Sequence, residues 1–408
     1  MAYYMNRWRY TVIHNTIFRL VVGIACIYIY CEYLIYYVTQ IQCGWPSLKK
    51  VPAKSEPVYA MILADTHLLG SHNGHWLDKW RREWQMHRAF QTAITLHRPE
   101  VIFVLGDLFD EGKWCSQNEF DDYVKRFYTL FKVPDDTNLY VVAGNHDIGY
   151  HYNKELERNV KMAGPIKGDV FRRITPKLVN RFENKMDAPT VNLISIRGNH
   201  FVLINSMAME GDGCTLCSRA VAELDKISDL LKCSSGSPLC KGKLKLPQYS
   251  RPIVMQHYPL YRESDSMCPE MDSAPLPKRN TLFIERWDCL SKESTEYLVE
   301  NLNPRAAFGG HTHYSCIVRH SFVPTKDHKI EFTEYTVPSF SWRNRLDPKY
   351  YLATITTDEV QVSKCEMPTE STMQVTAVLM LIALLCYLRF FSTSKNAFNY
   401  KHLSGKKV

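Results

Sequence analysis

The chain has 408 residues, 45% hydrophobic and 23% charged, with 50 Lys and Arg against 42 Asp and Glu for a formal net charge of +8. Much of the excess positive charge sits at the two ends, and no aromatic-basic stripe accompanies it, which excludes a nucleic-acid surface. Between them, residues 50–365 read as one domain without repeats or low-complexity tracts. In chain order, residues 1–19 carry Arg7, Arg9 and Arg19 and precede an apolar stretch at 20–38 that is broken only by Glu32. About 18–20 apolar residues suffice to cross a membrane. A cleaved signal peptide is the competing reading, but the stretch is long and no small-residue cleavage site follows it closely. Glu32 is expensive at membrane depth, which places it near the far interface beside Tyr33, Tyr36 and Tyr37.

Apolar runs of strand character then recur: YAMILAD at 59–65, EVIFVLGD at 100–107, NLYVVAGN at 138–145, PIVMQH at 252–257 and a shorter AAFGGH at 306–311. Amphipathic helices are expected over 79–98 and 116–132, and insertions over 151–190 and 208–250. Within the second insertion, Val221, Leu224, Ile227, Leu230 and Leu231 have helical spacing and form a packing stripe. Residues 259–290 form a long polar connection carrying Tyr261, Arg262, Lys278, Arg279 and Arg286, expected at the rim of a substrate cleft. A second membrane-length segment at 371–388 is followed by Arg389, Lys395, Lys401, Lys406 and Lys407 in a tail at 389–408. Basic outer flanks on both segments put both termini in the cytosol and the central domain across the membrane.

Each strand run ends on a polar segment: DTH at 65–67, GDLFD at 106–110, GNHD at 144–147, QHY at 256–258 and GGHTH at 309–313. Taken singly, DTH or QHY carries no signal, whereas the glycines of GNHD and GGHTH mark tight turns that present side chains. In α/β architectures the carboxyl ends of strands are where ligands gather, so the segments can converge without being near in sequence. Two divalent cations held about 3.5–4 Å apart need a bridging carboxylate, hard oxygen ligands and several imidazoles. The five segments supply that mixture, with Asp107 as the natural bridge.

In that order, DxH, GDxxD, GNHD, a lone His and GHxH resemble the calcineurin-like metallophosphoesterases. The resemblance implies a β-sandwich flanked by helices, an α/β fold, here with a transmembrane helix at each end. It implies that Asp65, His67, Asp107 and His313 hold one metal and Asp107, Asn145, His257 and His311 the other. His146 would face the substrate as the catalytic acid, and Asp110 and Asp147 would orient histidines from behind. Purple acid phosphatases carry a Tyr where this chain has Asp110, so an iron tyrosinate is not expected. Mn²⁺ is the expected pair of cations, with Zn²⁺ or Fe²⁺ as alternatives.

Two terminal anchors around such a domain, and YPLYR after His257, resemble the membrane-bound members of the family that trim glycosylphosphatidylinositol (GPI) anchors. That resemblance implies removal of an ethanolamine phosphate branch from the second mannose, at the lumenal face of the endoplasmic reticulum and Golgi. The partners would be GPI-anchored glycolipid or protein, the membrane itself, and coat or cargo-receptor proteins at the cytosolic tail. The family's dilysine retrieval signal is imperfect here, since the chain ends SGKKV. Nothing in the residues themselves selects ethanolamine phosphate over nucleotides or phospholipid head groups, and a non-catalytic sorting adaptor on the same fold is the remaining alternative.

Ten cysteines lie between Cys43 and Cys365, an even number that suits disulfides in an oxidising lumen. CTLC at 214–217 leaves open a zinc ribbon or a redox motif, although Cys240 follows Cys233 too distantly for the usual ribbon. No Asn-x-Ser/Thr sequon occurs, which counts mildly against a lumenal domain.

Overall fold

A computed structural model of the chain describes residues 2–49, 56–151, 173–236, 240, 244–325 and 328–404. Lys406, Lys407 and much of the 151–190 insertion lie outside the described residues. The chain divides into two compact units, residues 43–366 and the two terminal segments together.

Within the central unit, the described strands form two sheets. One is five-stranded, in the order β11-β10-β1-β2-β3, with β1 at Val58–Leu63, β2 at Val101–Leu105, β3 at Asn138–Val142, β10 at Lys349–Ile355 and β11 at Val360–Glu366. The other is six-stranded, in the order β4-β5-β6-β7-β9-β8. Here β4 is Val191–Ile196, β5 Asn199–Ile204, β6 Ile253–Gln256, β7 Ala306–Gly309, β8 Cys316–Thr325 and β9 His328–Thr336. The strands that end in the polar motifs pair in parallel, β1 with β2, β2 with β3, and β6 with β7. Their carboxyl ends therefore emerge on one edge of each sheet.

The sandwich core follows the two-residue period of a strand. Val58, Ala60 and Ile62 of β1, and Val101, Phe103 and Leu105 of β2, point inward to Phe201, Leu203, Ile253, Met255, Ala306 and Phe308 of the facing sheet. Phe103 and Phe201 meet across the layers with ring centroids 4.9 Å apart. The remaining residues of β1 and β2 are buried too, apart from half-buried Tyr59, which is why these strands read as continuous apolar runs.

Helices α1 (Ala2–Ile29) and α2 (Ile35–Gln40) are joined by a π-helical turn, Tyr30–Leu34, that holds Glu32. The crossover helices are α3 (Trp76–His97), ended by Arg98 in the left-handed region, and α4 (Gln117–Leu130), started by a Ser116–Glu119 capping box. Asn145–Ile148 forms α5, Pro176–Met186 α6 and Thr215–Ser234 α7. Leu276–Arg279 forms α8, Lys292–Leu302 α9 and Glu370–Ser404 α10.

Among the described residues four cysteine pairs are bridged: Cys43–Cys365, Cys214–Cys217, Cys233–Cys240 and Cys268–Cys316. The pairing of 214 with 217 and of 233 with 240 rules out a four-cysteine ribbon. Cys115 and Cys289 are buried thiols, so two of the ten stay outside the disulfide framework.

In the terminal unit, His14–Gln40 and Glu370–Phe390 are long and apolar enough to span a membrane, with mean hydropathies of 1.7 and 1.9. Both expose apolar side chains on most of their surface, Ile17, Phe18, Val21 and Val22 on one and Val378, Leu379 and Ile382 on the other. A helix that is apolar all round suits lipid rather than water. The two pack closely where a Cβ at Gly23 would collide with Leu384.

Candidate metal centre

The motif residues sit where each parallel strand gives way to its loop, and the backbone there is unusual. Asp65, His67, Asp107, His311 and His313 all have positive φ, between 43° and 71°. L-residues pay for that region in steric energy, about 1–2 kcal/mol each, and such strain persists where the surroundings over-determine it. The effect is to turn each side chain back over the strand ends. Glycines leave room for the approach: a Cβ at Gly106 would lie 2.5 Å from His257 Nδ1, and one at Gly310 2.9 Å from Asp65 Oδ2.

The structure brings Asp65, His67, Asp107, Asn145, His257, His311 and His313 together in one cluster. Ligating atoms of Asp65, His67, Asp107 and His313 form one group, and those of Asp107, His257 and His311 a second, with Asp107 in both. In the first, His67 Nε2 lies 3.2 Å from His313 Nε2 and 3.4 Å from Asp107 Oδ2, and His313 Nε2 lies 3.7 Å from Asp65 Oδ1. In the second, His257 Nε2 lies 3.1 Å from Asn145 Oδ1, 3.2 Å from His311 Nδ1 and 3.4 Å from Asp107 Oδ2.

The partners of the other ring nitrogens decide what these contacts mean. His67 Nδ1 donates to Asp110 Oδ1 at 3.2 Å, His257 Nδ1 donates to Leu105 O at 2.8 Å, and His311 Nε2 donates to Trp287 O at 2.8 Å. In its neutral form each imidazole therefore turns a bare lone pair towards the cluster. Lone pairs of His257, His311, Asn145 and Asp107 converge on one point with only a proton or a cation able to satisfy them. The donor set of nitrogen and hard oxygen, oriented from behind, fits divalent cations.

The electrostatics agree. Burial pushes Asp65 up to about 7. At Asp107 burial works in the same direction, but the neighbouring His257, His146 and His67 outweigh it and hold the carboxyl well below the usual range. Burial would lower His257, yet the attraction of Asp107 raises it to about 9. Burial lowers His311 to about 3. Buried oxygens and lone pairs thus concentrate a demand for positive charge around Asp107.

His146 stands beside this cluster. Its backbone N–H donates to Asp107 Oδ1 at 2.8 Å, its Nδ1 donates to Asp110 O at 3.0 Å, and its side chain is 27% exposed. Burial lowers it to about 4. Asp110 does orient histidines, lying 3.2 Å from His67 Nδ1 and 3.6 Å from His146 Nδ1. Asp147 departs from expectation: its two oxygens accept the backbone N–H groups of Gly144 and Phe109, so it fixes loops rather than a histidine.

Several contributors lay beyond the motifs. Arg343 binds Asp110 Oδ2 at 2.7 Å, and Asn73 donates to the same oxygen at 3.1 Å. Ser339 donates to Asp65 O at 2.7 Å. Lys113, nearly fully buried, is lowered to about 8 by burial, against the pull of Asp107, Asp110 and Asp147. None of them sits in a strand-end signal, so the sequence offered no local cue. The 259–290 connection does reach the site, through Trp287, but Arg262 is no rim residue: it is buried against Asp265 and Glu334.

Comparison with known proteins places this geometry. Residues 60–315 match the model of the family described as calcineurin-like phosphoesterase. The chain is 39% identical over 395 residues to Metallophosphoesterase 1 of Danio rerio, covering 95% of each chain. It is 45% identical over 347 residues to the Metallophosphoesterase 1 homolog of Drosophila melanogaster, covering 84% of this chain and 85% of that one. With Metallophosphoesterase 1 of Mus musculus it shares 44% identity over 362 residues, 87% of this chain and 84% of the other. The chain is a phosphoric ester hydrolase with a dimetal centre and belongs to the calcineurin-like phosphoesterase family.

Proposed function

We propose that the enzyme is a phosphodiesterase that removes an ethanolamine phosphate branch from the second mannose of GPI anchors, with its catalytic unit in the lumen of the early secretory pathway. The observation that carries this reading is the pair of apolar helices, one at each end of the chain, on either side in sequence of a dimetal phosphoesterase unit. A phosphodiester on a membrane-anchored glycan is confined to the same surface as a tethered enzyme, which raises its effective concentration. Bridged cysteine pairs in the catalytic unit support an oxidising compartment.

In this reading Asp65, His67, Asp107 and His313 hold one cation and Asp107, Asn145, His257 and His311 the other, Mn²⁺ in both places. When bound, the pair supplies an acidified water and neutralises charge on the phosphoryl oxygens. Asp107 would serve both cations, since both groups share it. Asp110 holds His67 in its tautomer and Arg343 holds Asp110. His146 keeps its Nδ1 proton on Asp110 O, which leaves Nε2 for the substrate. As a free imidazole it is uncharged, so donation to the leaving oxygen requires that the arriving phosphate anion first raise its proton affinity, so that Nε2 takes up a proton from solvent. It then protonates the departing alkoxide.

The test is the mass of GPI glycans from cells lacking this protein, restored with wild type or with Asp107→Ala. An additional ethanolamine phosphate retained in the null and the Asp107→Ala cells is expected. Unchanged glycans would contradict the substrate and direct attention to nucleotides or phospholipid head groups. Protease protection of residues 50–365 in sealed microsomes tests the lumenal orientation, and cleavage from the cytosolic side would overturn it.

A further inference from the structure

A second cluster of ligating side chains lies outside the dimetal centre, at the start of α7. Cys214 is the N-cap of that 20-residue helix, and Cys217 follows one turn later with its Cα 5.0 Å away. The N–H of Cys217 points at Cys214 Sγ at 3.0 Å, and a helix N-terminus favours thiolate over thiol. From a segment more than sixty residues earlier, His151 Nε2 lies 3.3 Å from Cys214 Sγ and 3.6 Å from Cys217 Sγ. Asp212 completes the group, with Oδ1 3.2 Å from Cys217 Sγ and Oδ2 3.7 Å from His151 Nε2. All four ligating atoms fall within 4.8 Å of one another.

We propose that His151, Asp212, Cys214 and Cys217 form a redox-gated cation site that takes one thiophilic divalent ion, such as Zn²⁺, when the cysteine pair is reduced. Zinc bonds of about 2.3 Å to sulfur and about 2.0–2.1 Å to nitrogen or oxygen give a tetrahedron whose edges are about 3.3–3.8 Å. The His–Cys, Asp–Cys and Asp–His separations are already close to that size. The edge between the two sulfurs is the one that is too short, since they are bonded to each other here. The disulfide therefore closes the site, and opening that one bond completes it.

A dithiol or a pair of monothiols reduces the bond by exchange, leaving two protein thiols and a new disulfide on the reductant. Binding of Zn²⁺ then releases the two thiol protons. In the reverse direction a small disulfide takes the electron pair, the protein disulfide re-forms, two small thiolates leave and take up two protons from solvent, and Zn²⁺ is freed. The bridge spans only three residues of sequence, so it removes little chain entropy from the unfolded state and its loss costs the fold little. Exposed Asp212 and half-buried Cys214 give the group one solvent-facing side, whereas the His151 side chain and Cys217 are buried. Sulfur ligands also separate this site from the dimetal centre, whose nitrogen and oxygen donors accept harder ions.

The inference is independent of the substrate proposed above. Its test uses the full-length protein in detergent, stripped of metal and titrated with Co²⁺, whose sulfur-to-cobalt charge-transfer absorption reports thiolate ligation that the dimetal centre cannot give. Reduced wild type is expected to develop this band at one ion per chain and to lose it on addition of Zn²⁺. Oxidised wild type and reduced Cys214→Ser/Cys217→Ser are expected to show none. Asp212→Asn, which alters one exposed side chain, is expected to bind at least about tenfold more weakly. Absence of the band in reduced wild type, its survival in the double variant, or undiminished affinity in Asp212→Asn would each overturn the proposal.

Discussion

The two halves of the dimetal cluster are oriented by different means. On the Asp65, His67 and His313 side, the orienting group is a side chain: Asp110 holds His67 and is itself held by Arg343 and Asn73. Each side has one partly exposed histidine, His313 at 26% on the first and His311 on the second, beside a buried one, His67 and His257. On the His257 and His311 side, the orienting groups are backbone carbonyls, Leu105 O and Trp287 O. A side chain can be replaced and a carbonyl cannot, so the first half is tunable by substitution and the second is fixed by the fold. Asp107 belongs to both halves and His146 to neither.

Substitutions can break this contrast. His146→Ala is expected to keep both cations, counted by elemental analysis of the purified protein, while turnover falls about 10²–10⁴-fold. Full activity in that variant would end the acid role. A smaller loss, about 10–100-fold in affinity for one cation, is expected for Asp110→Asn, because His67 loses a charged acceptor while the second half is untouched. Weakening of both ions together would show that the halves are not oriented separately. Smallest of all should be Trp287→Phe, which retains the carbonyl and a ring to stack on Tyr150 at 4.1 Å, with turnover changed by less than about tenfold.

The second half also depends on how its loop is anchored. Buried Glu334 accepts from the N–H of Leu260 at 2.7 Å and pairs with His320 at 2.8 Å and Arg262 at 3.7 Å. Burial would raise this carboxyl, but the hydrogen bond from His320 and the charges of His320 and Arg262 lower it below 4.5. A folded value below the unfolded one means that the stabilisation is complete above about 4.5 and is lost as pH falls through the lower, folded value. Acid unfolding of Glu334→Gln should therefore lack that step, at a cost of about 3 kcal/mol at neutral pH measured by denaturant titration.

How much of this was legible from residues differs by region. Parallel strands β1, β2, β6 and β7 announced themselves because they are buried on nearly every residue, and these and the more open β3 because each runs into Gly, Asp, Asn or His. Crossover helices were visible too, to within three residues at each end, and the α7 stripe extended only slightly. The hairpin β8–β9 was not, since CIVRHSFVPT and HKIEFTEYT mix charge with apolar residues and carry no closing motif. Nor were Arg343 and Trp287, which reach the cluster through tertiary contacts with no local pattern. Positive φ at five of the cluster residues left no trace either, because aspartate and histidine, although enriched in left-handed backbone, adopt it at only a small share of their positions.

The central claim is that one centre holds two cations through a shared carboxylate. Electron paramagnetic resonance of metal-stripped protein reloaded with Mn²⁺ tests it most directly. Exchange-coupled pairs at full loading, replaced in Asp107→Ala by isolated ions or none, are the predicted result. Isolated Mn²⁺ signals in fully loaded wild type, or unchanged coupling without Asp107, would contradict it.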